Sequence, residues 1–162
     1  MPRTPVGTYN RPTPDWYSKN AAYSNGVAIG GGGTGGSVSL YNDSEQGEYL
    51  WLYYMRADVS GDQGLYAQSA EGVIGSLYQG SYPLIAGLPT PRGSIYAGET
   101  PAGADLIHVP ISWQQTDGFS APFETGSPMV GLPPGFSFIV YNGFAACVLT
   151  VNFMWVVLPS TT

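Results

Sequence analysis

The chain has 162 residues, among them Gly 23 and Pro 14, with 10% charged and 14% aromatic side chains and a formal net charge of −6. A single Lys, at Lys19, argues against a coiled coil or helical bundle. The aromatic and β-branched content excludes a wholly disordered chain, and the lack of Gly at every third position excludes collagen. What remains is one β-rich domain with many turns, long enough to bury a core.

Residues 1–36 read as an extended arm. Pro2, Pro5, Pro12 and Pro14 interrupt any strand ladder, and Gly30 to Gly36 (GGGGTGG) form a flexible tether. Tyr9, Trp16, Tyr17 and Tyr23 are spaced apolar anchors with which such an arm would dock onto a neighbouring chain. The glycine run contains the form G-x-G-x-x-G twice. A dinucleotide loop follows a strand and opens a helix, whereas this run leads into a strand, so it reads as a linker.

The packed domain is expected over residues 37–162. Ser37 to Asn42 alternates Val38 and Leu40 with serines and reads as a strand. Glu48 to Val59 (EYLWLYYMRADV) follows as a long strand. Tyr49, Trp51, Tyr53 and Met55 line one face and Leu50, Leu52 and Tyr54 the other, which predicts a central strand covered on both sides. Ser60 to Gly64 reads as a hairpin turn into Leu65 to Ser69. Residues 70–104 are turn-rich, with short strands expected at Val73 to Tyr78 and Ser94 to Ala97. A long stretch with so little periodicity is a candidate contact region.

Asp105 to Trp113 is strand-like, and Pro110 consigns it to a sheet edge or a bulge. Gly118 to Pro134 reads as a loop. Gly135 to Tyr141 alternates again, Asn142-Gly143 reads as a two-residue hairpin, and Ala145 to Leu158 returns as the last strand. In that strand Cys147, Leu149, Val151, Phe153, Trp155 and Val157 share one face. About eight strands with long connections predict an all-β, antiparallel two-sheet sandwich, with a jelly roll favoured over an immunoglobulin-like arrangement.

Chemistry is sparse. Arg3, Arg11, Lys19, Arg56 and Arg92 form no cluster, so neither nucleic acid nor an anionic membrane is an expected partner. No apolar stretch has the length of a membrane-spanning helix, and the first residues show no secretory pattern. Cys147 has no partner for an internal disulfide and reads as a buried thiol. Cys and His counts exclude a zinc-type site, Asp58 and Asp62 are only fragments of a calcium loop, and Asp43, Glu45 and Glu48 read as a solvated turn. His108, the single histidine, reads as structural. No catalytic, metal or cofactor residues stand out, and no enzyme is expected. Asn42-Asp43-Ser44 is a formal glycosylation sequon. Trp51 and Trp155 read as core.

A charge-poor, aromatic surface suits burial against other chains, because interface cores are depleted in Lys, Glu and Asp and enriched in Tyr and Trp. Tyr78, Tyr82, Tyr96 and Trp113 are the contact candidates outside the arm. The turn-strand-hairpin-strand run LPPGFSFIVYNG (132–143) and ACVLTVNFMWVVLP (146–159), preceded by a Pro/Asn/Gly-rich arm, resembles small virion structural proteins of tailed bacteriophages, of the head-decoration, collar and fibre-base kind. The resemblance implies a virion building block made in the host cytoplasm. It would be non-enzymatic and homo-oligomeric, a trimer or higher ring, with the major capsid protein or another virion protein as partner. The alternative is a carbohydrate-binding module, a receptor-binding tail tip or lectin, in which Trp113 or loop tyrosines stack on sugar rings.

Overall fold

The computed structural model describes residues 20–30, 35–45, 47–60, 64–99, 106–114, 121–124, 130–142 and 147–159, with backbone only for 64, 99, 106–114 and 121–124. They form twelve strands. These are β1 (Ala21–Gly30), β2 (Gly36–Tyr41), β3 (Glu48–Val59), β4 (Gly64–Glu71), β5 (Ser76–Gly80), β6 (Tyr82–Pro83), β7 (Ser94–Glu99), β8 (Leu106–Gln114), β9 (Ala121–Glu124), β10 (Val130–Leu132), β11 (Phe136–Asn142) and β12 (Cys147–Pro159).

Two antiparallel sheets pack as a sandwich. One runs β10-β3-β12-β1-β6, with β9 also paired to β3, and the other runs β5-β7-β2-β11-β4-β8. β9 and β10 lie on the same edge of β3, opposite its residues 54–57 and 50–52, and act as one interrupted strand. Counted so, β10/β9-β3-β12-β1 faces β2-β11-β4-β8, which is the eight-strand order of a jelly roll. β5, β6 and β7 are an insertion between β4 and β8. The core is built by Leu50, Leu52, Met55, Leu149, Val151, Phe153 and Trp155 of the first sheet against Val38, Leu40, Leu65, Ile95, Phe138 and Val140 of the second.

Several expectations are corrected. Residues 21–30 are not arm: β1 pairs with β12 over its whole length, Ala21 opposite Val156 and Gly30 opposite Cys147. Its inward row is Ala22, Ser24, Gly26 and Ala28, too small to show apolar alternation. The small size is required, because a Cβ at Gly26 would stand 2.5 Å from Val38 Cγ1 and 2.8 Å from Ile95 Cγ2. The GGGGTGG run therefore joins β1 to β2 within the domain. Residues 1–19, with Tyr9, Trp16 and Tyr17, lie outside the described residues.

Neither expected hairpin forms. β3 and β4 belong to different sheets, and so do β11 and β12, so the chain changes sheets between Val59 and Gly64 and again between Asn142 and Cys147. Turn chemistry signals a change of direction but does not say which sheet the next strand joins. The expected loop 118–134 contributes β9 and β10. In β3 the two faces exchange partway along, because the register to β12 passes from Tyr54↔Met154 to Leu52↔Trp155 and leaves Tyr53 as the extra residue of a bulge. Leu50 and Leu52 are thus followed inside by Met55, Ala57 and Val59. Trp155 is core, but Trp51 is half-buried on the outer face, stacked on Tyr49 at 6.3 Å.

β3 is central, flanked on both edges, but the expected cover on both faces is not found: its outer face, with Tyr49, Trp51 and Tyr54, is only partly buried and Arg56 is exposed. Other expectations hold. β8 is the last strand of its sheet, and its register to β4 shifts where Ala67 faces Ile111 and Ser69 faces Ile107, a stretch that includes Pro110. Cys147 is buried, on the inward face of β12.

Candidate interaction surface

The insertion decides what the surface offers. After β4 the chain passes as a strap, Gly72 to Gly75, across the outside of the second sheet. It crosses β11, where Ser137 Oγ donates to Gly72 O at 2.6 Å, and β2, where Ser39 Oγ donates to Ile74 O at 3.2 Å. Ser37, Ser39, Ser137 and Ile139 point outward from their strands yet are fully buried, in keeping with the strap's course. At the far side Gly75 adopts φ 91°, and a Cβ there would lie 2.6 Å from Ala97 O. No side chain fits that crossing.

β5 and β6 then close one flank of the sandwich by bridging the two sheets. β5 pairs with β7 of the second sheet, and β6 pairs with Ala22 and Tyr23 of β1 in the first. Polar contacts secure the bridge. Ser24 Oγ donates to Gly80 O at 2.9 Å, and Gln79 Nε2 donates to Ser24 Oγ, to Asn25 Oδ1 and to the Asn25 carbonyl. Ser81 Oγ donates to Pro91 O.

The other end of the insertion is tied to the core. Trp155 Nε1 donates to Arg92 O at 2.8 Å, and Gly93 packs on the indole. Asp43 accepts from Gly93 N at 2.9 Å and Ser94 Oγ at 2.7 Å, so this carboxylate is a structural clamp and not a solvated turn residue. Glu48 accepts from Ser44 Oγ and faces Arg92 at 4.0 Å.

The segment that closes the flank, with Tyr23 of β1, carries most of the exposed large apolar side chains among the described residues. Leu77 is 64% exposed, and Tyr78, Tyr82, Ile85 and Tyr23 are each nearly half exposed. Tyr23 and Tyr82 lie ring to ring at 5.6 Å, tilted by 31°. No carboxylate or cation stands among Ser76–Ile85, so the flank is neutral as well as apolar. A second exposed pair, Ile29 and Val148, sits cross-strand at the far end of β1 and β12.

Two of the sequence-nominated residues, Tyr23 and Tyr82, therefore come together, and Tyr78 is exposed on β5. Tyr96 does not join them: it is half-buried on the outer face of β7, edge-on to Tyr41 at 5.8 Å. Trp113 is placed in the edge strand β8 opposite Leu65, at the other end of the sheet order from β5. His108 also lies in β8, within its irregular stretch. Leu77, Ile85, Ile29 and Val148 were not singled out from sequence. The available signal was a large aliphatic residue inside a turn-rich or glycine-flanked stretch, where no core strand requires one.

Elsewhere the outer face of the second sheet carries Tyr66 stacked on Tyr141 at 5.4 Å. Burial, followed by the neighbouring Tyr66, pushes the Tyr141 phenol above its ordinary value of 10.0. Arg56 and Asp58 neutralise each other at 3.2 Å on the outer face of the first sheet. The sequon asparagine, Asn42, is fully buried. Its Nδ2 donates to Glu48 O and Leu132 O, both at 2.8 Å, so the folded chain offers no glycan acceptor there. Among the described residues no group of three His, Cys, Asp or Glu side chains is arranged to hold a metal ion, and no helix is long and apolar enough to cross a membrane. No known protein family, curated protein or solved structure matches the chain.

Proposed function

We propose that the chain is a virion structural protein that decorates or cements a capsid, or builds a vertex or collar. It would act by homo-oligomeric assembly and by docking to another virion protein such as the major capsid protein. The observation that carries this reading is the exposure of Leu77, Tyr78, Tyr82 and Ile85 along an uncharged insertion, with Tyr23 beside Tyr82, on a charge-poor jelly roll. Jelly rolls serve in capsids and also in lectins and cupins, so the fold alone does not select among them, and the surface has to. An exposed apolar surface on an uncharged segment is the signature of a protein contact. The insertion that presents it is pinned to the core by Trp155 and Asp43, so the patch is held in shape before a partner arrives.

The test is light scattering of the purified chain, with co-sedimentation on capsids from the particle that encodes it. The reading expects a discrete oligomer, or stoichiometric capsid binding lost on Leu77→Asp. A chain that stays monomeric and ignores the capsids overturns it. A second reading, carbohydrate binding, draws on the Tyr23–Tyr82 pair, whose half-exposed rings offer a stacking platform for a sugar. Specific glycan binding lost on Tyr82→Ala would favour it.

A further inference from the structure

From the edge of β1 we infer that two copies of the chain join their first sheets across a two-fold axis at Ala28, through β1 pairing antiparallel with the partner subunit's β1. The inference deepens the assembly reading above, and rests on it, by naming one contact and its partner, a second copy of this chain.

Among the described residues, strand β1 has one satisfied side and one open side. Its even residues face β12. Its odd residues turn their N–H and C=O groups outward, as shown by Leu84 N donating to Ala21 O and Gln79 donating to Asn25 O. β6 covers Ala22 and Tyr23, and Gln79 takes Asn25. Beyond that point no described strand pairs with this edge, and no hydrogen bond among the described residues reaches the outward groups of Val27 and Ile29.

Exposed edges are normally protected by a charged side chain, a proline, a bulge or a covering segment. Gly26 to Gly30 (GVAIG) contains no charge and no proline, and its register to β12 is unbroken. Instead the edge carries Ile29, 80% exposed, beside Val148 at 44%. A row of unpaired backbone groups is satisfied by an extended polypeptide, and an apolar flanking row selects an apolar strand. The edge itself meets both requirements.

The register follows from what is already occupied. Asn25 is taken, so pairing is confined to Gly26–Gly30, whose centre is Ala28. Val27 of each copy then exchanges both backbone hydrogen bonds with the partner's Ile29. Inward of the sheet only Gly26, Ala28 and Gly30 meet their counterparts, which leaves room for close approach. Outward, Ile29 of each copy is covered by the partner's Val27, extending the row already formed with Val148. The two Ile29 residues become diagonal neighbours, roughly 7–8 Å apart. An isologous contact of this kind closes on itself and leaves the flank of Leu77 and Tyr82 for another partner.

The test is amide hydrogen exchange on the full chain at several concentrations, read at Val27 and Ile29, with light scattering on the same samples. Both amides should be protected where the oligomer forms and should exchange freely on dilution. Ile29→Lys and Val27→Pro, each confirmed as folded by circular dichroism, should weaken self-association roughly ten-fold or more, given the burial of two isoleucines. In chains carrying Ile29→Cys, with Cys147 buried, a short bismaleimide should link the two copies. An oligomer whose Val27 and Ile29 amides exchange as in the dilute chain overturns the β1 contact and leaves the assembly reading standing. Protected amides without the cross-link mean that another strand covers the edge, and overturn the two-fold pairing. A chain that is monomeric at every concentration overturns the β1 contact, and overturns the assembly reading too where it also ignores the capsids.

Discussion

The indole N–H of Trp155 donates to the carbonyl of Arg92 at 2.8 Å, so the largest side chain of the core also fastens the start of β7. One hydrogen bond thus couples the sandwich interior to the inserted segment that presents the apolar flank. Trp155→Phe keeps most of the apolar volume but leaves the Arg92 carbonyl without its donor. We expect a loss of about 1–3 kcal/mol in chemical denaturation.

Asn42 holds three backbone groups at once. Its Nδ2 reaches Glu48 O and Leu132 O, and its Oδ1 accepts from Ser44 N at 3.0 Å. Asn42→Ala strips two carbonyls of their donor, and stability should fall by roughly 2–4 kcal/mol. Thermal and denaturant unfolding check this. Expression in a glycosylating host should also give a chain without glycan at this position, read by mass spectrometry.

Gly75 stands where the strap passes over β7. Gly75→Ala brings a Cβ against Ala97 O and strains a φ of 91°, so it should cost roughly 1–3 kcal/mol. Because the damage is local, limited proteolysis should nick the strap between Gly72 and Gly75 before the sandwich unfolds.

The raised Tyr141 phenol sets an alkaline limit. The fold favours the neutral form, whereas the unfolded chain titrates near 10.0. The contribution is therefore complete below pH 10 and is lost as pH climbs through the raised native value. Stability should decline above pH 10, and less steeply in Tyr141→Phe, which denaturation midpoints at increasing pH would show.

On the neutral flank, Leu77→Asp and Tyr82→Ser replace exposed side chains and should alter stability by no more than about 0.5 kcal/mol. Association with a partner should nonetheless weaken markedly. Parallel melting curves and sedimentation separate the two effects.

How much of this was legible in the sequence follows from side-chain size. β3 and β12 were evident because large apolar residues alternate along them, and β8 because Pro110 announces an edge. β1 was hidden because its inward row, Ala22, Ser24, Gly26 and Ala28, is small where the sheets approach closely, and small residues leave no period. The sheet changes between β3 and β4 and between β11 and β12 look like hairpins in the sequence, since turn residues encode a reversal and not the destination sheet. Within the candidate surface, Tyr78 and Tyr82 were legible as aromatics in a turn-rich stretch. The juxtaposition of Tyr82 with Tyr23 was not, because it depends on β6 pairing with a strand far earlier in the chain. Ile29 gave no signal, lying beside the glycine run.

The pairing of β1 with β12 also has a mechanical side. Ala21 lies opposite Val156 and Gly30 opposite Cys147, so the chain enters β1 and leaves β12 at the same end. A pull applied through those two points meets the ladder one pair at a time, starting from Ala21 and Val156, and peels it open without shearing all ten pairs together. Tension along the chain would therefore be resisted weakly by this pair, whereas a load spread across the sheet surfaces is borne by the whole sandwich.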